Sequence, residues 1–161
     1  MLQPGDIIFV RGSIMHPLYD AIMLGEEILD KQPFISNYVH VAVYMGGDTI
    51  AEAKDFRKSG FGPLSQYAGN YDIGHIQMTT DQRQRFLSGL LKENGLPYDW
   101  LGIFWLIVKI VTGYDRKYQE HKVRYCSKYV GWALAKVGIV VNDRTPEDLA
   151  LDPLVTIEKR K

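Results

Sequence analysis

The feature that most constrains this chain is a glycine-closed pair of apolar runs. Val39-His40-Val41-Ala42-Val43-Tyr44-Met45 leads into Gly46-Gly47-Asp48, and Thr49-Ile50-Ala51-Glu52-Ala53 follows. A period of two is the repeat of a strand, and paired glycines adopt the left-handed conformations that tight turns demand. The segment therefore predicts an antiparallel hairpin of residues 39–45 and 49–53. His40, Ala42 and Tyr44 share one face, and Val39, Val41 and Val43 fill the other. Pairing across the hairpin carries Glu52 within reach of His40. A carboxylate in that position holds an imidazole in one tautomer and one orientation. Glu52 lies between two alanines, which leave room around a polar side chain. The plainer reading makes His40 a surface or satisfied core histidine and Glu52 a solvent-facing strand residue.

Other segments extend the pattern. Pro4-Gly5-Asp6 signals a turn into a buried strand, Ile7-Ile8-Phe9-Val10. Residues 16–31 read as a helix, residues 33–38 as a loop, residues 54–71 as a long surface loop and residues 72–78 as a further strand. Thr80 is suited to cap a helix running to about Asn94, where Gly95 stops it. Residues 125–137 read as a helix ended by Gly138. Thr145-Pro146-Glu147-Asp148 opens a last short helix, because proline fits a first turn. Strands early and helices late predict an α+β domain spanning residues 1–161, with an antiparallel sheet packed against helices.

The chain has one cysteine, Cys126, followed by Ser127-Lys128-Tyr129-Val130-Gly131-Trp132-Ala133-Leu134. A thiol at a helix start feels the positive end of the peptide dipoles, which favours the thiolate. Its own N–H is then free to face a developing oxyanion. With an imidazole beside it, it is a nucleophile. The plainer reading is a buried small hydrophobe.

One cysteine excludes an intramolecular disulfide and a four-thiolate zinc site, and it suits a reducing compartment. No HExxH and no Cys/His pair of ligand spacing occurs, so neither a metal nor another cofactor is expected. Nineteen basic and nineteen acidic residues balance, which argues against a general nucleic-acid binder. The start of the chain lacks the basic and apolar stretches of a signal peptide, so a cytoplasmic location is expected. The apolar stretch from Leu101 to Val111 is shorter than the roughly 20 residues of a membrane span. It reads as a core helix or as a lipid-facing or substrate-facing wall. His75 lies in a strand without a carboxylate from a short hairpin, and His16 and His121 read as loop or helix-edge residues.

In combination these segments resemble the NlpC/P60 superfamily of papain-like cysteine hydrolases. Five blocks of that family recur in rotated order. Gln3-Pro4-Gly5-Asp6-Ile7-Ile8-Phe9 comes first. His40-Val41-Ala42-Val43-Tyr44-Met45-Gly46 and Thr49-Ile50-Ala51-Glu52-Ala53 follow. Gly95-Leu96-Pro97-Tyr98-Asp99-Trp100-Leu101-Gly102 and Tyr125-Cys126-Ser127 close the series. The order is similar to that of the circularly permuted YiiX/YebB-like branch, with lecithin:retinol acyltransferase-type enzymes as more distant relatives. A rotation is tolerated where the original termini lie close together on the surface.

The resemblance implies a permuted papain-like fold with the nucleophile at a helix N-terminus, and a bacterial or phage origin. It implies Cys126 as nucleophile, His40 as general base, Glu52 as the orienting residue and Tyr98 as a lining residue that assists the oxyanion. Tyr125 and Ser127 flank the nucleophile as oxyanion or substrate-binding candidates. Tyr125 stands where the family has aspartate, Lys128 where it has glycine, and a long insertion separates Tyr98 from Cys126. The resemblance therefore carries the reaction type rather than a peptidoglycan-type substrate. Three functions remain open: an amidase or peptidase acting on a peptide or isopeptide bond, a lipid acyl hydrolase or transferase contacting lipid through Leu101–Val111, and a non-enzymatic binding module with a degenerate site.

Overall fold

The structure is a computed structural model, and it describes residues 2–12, 37–53, 59–92, 95 and 126–160. The anticipated helix at 16–31, the stretch 101–111 and residues Tyr98 and Tyr125 lie outside the described residues, as do His16 and His121.

Six strands form one antiparallel sheet: β1 (Ile7–Arg11), β2 (Tyr38–Gly46), β3 (Thr49–Glu52), β4 (Gly60–Pro63), β5 (Tyr71–Ile76) and β6 (Val155–Glu158). Their order across the sheet is β4-β3-β2-β1-β5-β6. Among the described residues, three helices pack against it: α1 (Thr80–Lys92), α2 (Cys126–Ala135) and α3 (Pro146–Ala150). This is the expected α+β class.

The hairpin forms as its residues predict. Gly46 and Gly47 take φ values of +117° and +61°, a region that a Cβ would penalise. Val43 pairs with Ala51, and Ala42 pairs with Glu52. On the other side of β2, Ile7, Ile8 and Phe9 of β1 pair with Val43, Ala42 and Val41.

Alternation in β1 and β2 splits the core in two. Ile7, Phe9, Val41, Val43 and Ala51 face the helices, meeting Phe86 and Leu90 of α1, Tyr129, Val130, Ala133 and Leu134 of α2, and Leu149 of α3. Ile8, Val10, Ala42, Ile50 and Ile73 fill the opposite face with Leu64, Tyr67 and Tyr71. Each large aliphatic or aromatic side chain removed from water contributes about 1.5–3 kcal/mol, so both faces stabilise the sheet.

Four expectations are corrected. Residues 54–71 are not one surface loop: β4 extends the sheet, and a 3-10 turn (Leu64–Tyr67) buries Leu64 and Tyr67. The cap of α1 is Thr79 rather than Thr80. Thr79 Oγ1 accepts from the Gln82 N–H at 3.1 Å, and Gln82 Oε1 accepts from the Thr79 N–H at 3.0 Å. This reciprocal pair needs a glutamine three residues after the cap, and only Thr79 has it. The strand anticipated at 72–78 runs Tyr71–Ile76. β6 follows the helices, pairing Ile73 to Ile76 with Glu158 to Val155 at the sheet edge. The last helix begins as expected: Thr145 caps it by accepting from the Asp148 N–H at 2.9 Å, with Pro146 in the first turn.

Candidate functional site

His40 lies on β2 where the pairing with β1 is irregular. Val10 pairs with His40 and Arg11 with Tyr38, so Val39 has no partner on β1. This is a β-bulge, which bends a strand and re-aims its side chains. Glu52 stands opposite Ala42, one diagonal step from His40 on the same face. Across that diagonal, His40 Nε2 lies 2.9 Å from Glu52 Oε2. His40 is 5% and Glu52 6% exposed, so little water screens the pair. The hairpin's anticipated juxtaposition is therefore present.

Two further residues hold Glu52. The Tyr67 hydroxyl donates to Oε2 at 2.8 Å, and Gln66 Nε2 donates to Oε1 at 3.1 Å. The Tyr67 ring centroid is 5.9 Å from that of His40. Both residues belong to the 3-10 turn, which Asp48 ties to the hairpin. Asp48 Oδ1 accepts from the Ser65 N–H at 2.8 Å and Oδ2 accepts from Ser65 Oγ at 2.7 Å. Gly62 on β4 leaves the necessary space. A Cβ there would lie 2.9 Å from Gln66 Nε2 and 3.1 Å from Glu52 Oε1. Sequence reasoning missed Gln66, Tyr67 and Gly62. The available signal was Leu64 and Tyr67 at a spacing of three after Pro63, which marks one buried side of a single helical turn.

Cys126 is the first residue of α2 and is buried. As a first-turn residue it has an N–H without an intrahelical acceptor. Burial alone would push the His40 pKa down. Hydrogen bonds with the Cys126 side chain and with Glu52, and the charges of both, outweigh it and raise the pKa to about 9. Glu52 occupies Nε2, and a carboxylate partner favours the charged imidazole. Ser127 is fully buried, and its Oγ has no hydrogen-bond partner among the described residues. Lys128 Nζ turns to Asp143 Oδ1 at 2.9 Å.

His75 does have carboxylate neighbours, although no hairpin supplies them. Nδ1 is 3.2 Å from Asp6 Oδ1 and Nε2 is 3.2 Å from Glu158 Oε2. Both nitrogens are occupied. Among the described residues no group of three His, Cys, Asp or Glu side chains is arranged to hold a metal ion. No described helix is long and apolar enough to cross a membrane. Compared with known proteins, the chain matches no family model and no curated protein.

Proposed function

We propose that this protein is a cysteine hydrolase that cleaves an amide bond, peptide or isopeptide, through a thioester on Cys126. The observation that carries the reading is His40, whose Nε2 lies 2.9 Å from Glu52 Oε2 and whose pKa the Cys126 side chain helps to raise. The rotated blocks support it with a permuted papain-like (NlpC/P60) assignment for the α+β sheet, because chain order is free to change while the geometry of such a site persists.

In the proposed cycle, His40 holds the proton released by the Cys126 thiol. The thiolate attacks the carbonyl carbon, and the Cys126 N–H stabilises the oxyanion at the helix start. His40 returns its proton to the leaving amine as the C–N bond breaks, which leaves the acyl group on sulfur. Water then gives a proton to His40 and attacks the thioester. The acid departs and the thiol is regenerated. Glu52 keeps the imidazole oriented and compensates its charge. The lipid acyl reading draws on residues 101–111, which lie outside the described residues, and the amide reading follows the resemblance to cysteine hydrolases.

The test uses iodoacetamide at neutral pH, then a mixed pool of peptides and acyl lipids. An activated thiolate labels at least tenfold faster than a free cysteine peptide, and His40→Ala removes the excess. The mass added to Cys126 by a trapped acyl-enzyme identifies the substrate class. Labelling no faster than the peptide would favour a binding module and sink the proposal.

A further inference from the structure

A second cluster lies around the far end of β1. Arg11, Gly12, Asn37, Tyr38, Asp72, Lys159 and Arg160 line a half-open cleft of about 520 Å³. Asp72 is almost wholly buried, and its two oxygens are fully engaged. Oδ2 accepts from Arg11 Nε at 3.1 Å and from the Tyr38 hydroxyl at 2.9 Å. Oδ1 accepts from Arg11 Nη2 and from the Arg160 N–H. Arg11 Nη2 also donates to the Arg160 carbonyl, and Arg160 Nη1 donates to the Tyr71 hydroxyl while its guanidinium covers that ring.

The arrangement spends the acid and leaves an excess of positive charge. Three cations line the cleft against one carboxylate, an excess of two positive charges in a protein whose formal net charge is zero. Arg11 Nη1 is not used by Asp72, and Lys159 is exposed with no ion pair among the described residues. Glu147 is committed to Asn37, accepting from its N–H at 2.9 Å and from Nδ2 at 3.2 Å. Asn37 keeps a second amide proton. The two guanidinium groups are held by their protein partners before any ligand arrives, which lowers the ordering cost of binding.

We infer that this cleft binds a ligand through a terminal phosphate group, with Lys159, Arg11 and Arg160 as its cationic partners. A dianion matches the charge excess, and planar guanidinium forks suit phosphate oxygens. The phosphate belongs either to a soluble phosphomonoester or to a lipid headgroup, and the two are separable.

The experiment titrates the full chain with inorganic phosphate against sodium chloride of equal ionic strength, following the amide signals of Asn37, Asp72 and Arg160. In parallel, the chain is sedimented with phosphatidylcholine vesicles with and without phosphatidic acid. Saturable shifts with phosphate assign a soluble ligand. Sedimentation that requires phosphatidic acid assigns a headgroup. In either case Lys159→Glu weakens binding at least tenfold and Lys159→Gln weakens it less, while Cys126→Ala leaves it unchanged. Phosphate shifts equal to those of chloride with no selective sedimentation overturn the inference, as does full binding by folded Lys159→Glu.

Discussion

Two buried carboxylates in this sheet each accept a tyrosine hydroxyl, and they differ in the base they face. Glu52 accepts a tyrosine hydroxyl, from Tyr67 at 2.8 Å, and so does Asp72, from Tyr38 at 2.9 Å. Each also faces a base from a neighbouring strand, His40 for Glu52 and Arg11 for Asp72. Arginine does not lose its proton at any pH the fold survives. That cluster is therefore permanently charged, and it fixes β1, β2 and β5 to the chain beyond β6. Histidine exchanges its proton near neutrality. On the proposed reading, the same carboxylate–tyrosine frame serves proton transfer with Cys126. On that reading, one change of base separates a structural clamp from a site with chemistry.

The sharpest way to break this comparison is to remove the thiol. Cys126→Ala lowers turnover of the trapped substrate by about 10³-fold or more, whereas Arg11→Ala leaves the alkylation rate of Cys126 unchanged. Equal losses in the two variants would erase the distinction.

Next in size is the clamp itself. Arg11→Ala strands the Asp72 charge and lowers stability in urea unfolding. The loss is smaller than for a fully buried pair, because the Arg11 side chain is 32% exposed.

The two clusters also fail at opposite ends of the pH scale. The folded-state pKa of His40 is raised from 6.5 to about 9. Its contribution to stability is full below the lower value and is lost as pH rises through the upper one. Burial would raise the Asp72 pKa, but hydrogen bonds from Arg11, Arg160 and Tyr38 hold it below the usual range. That contribution is present above the ordinary carboxylate value and is lost as pH falls through the lowered one. Melting temperatures from pH 3 to 10 therefore decline on both sides. His40→Gln flattens the alkaline decline only, and Arg11→Met the acid decline only.

The smallest effects compare the two tyrosines. Tyr67→Phe and Tyr38→Phe each remove a hydrogen bond to a charged group and cost about 1.5 kcal/mol. Only Tyr67→Phe moves the pH profile of Cys126 alkylation. It shifts the alkaline limb upward, because a carboxylate relieved of one donor acts more strongly on His40. An unmoved limb would make Tyr67 a packing residue.

The hairpin was legible because everything that makes it is local: alternation on both strands, glycines at the turn, and a register that follows from the turn. The His40–Glu52 contact was legible for the same reason. The Thr145 cap and Pro146 were legible because helix starts are chosen by a few neighbouring residues. Gln66 and Tyr67 were not, since nothing in Gly60-Phe61-Gly62-Pro63-Leu64-Ser65-Gln66-Tyr67 announces that the chain turns back beneath β3. β6 is four residues long and pairs with a strand that precedes α1, α2 and α3, so its partner is invisible to local pattern.

By itself, the sequence determined the α+β class, the hairpin and the closeness of an imidazole to a carboxylate, because short-range sterics and periodicity act within a few residues. Tertiary structure alone decided that the Cys126 side chain is among the groups acting on His40, that Tyr67 and Gln66 hold Glu52, and that Asp72 gathers Arg11, Tyr38 and Arg160. Those contacts form only when the collapse of both sheet faces brings distant segments together. Burial then removes the water that would otherwise satisfy these polar groups, leaving them to one another.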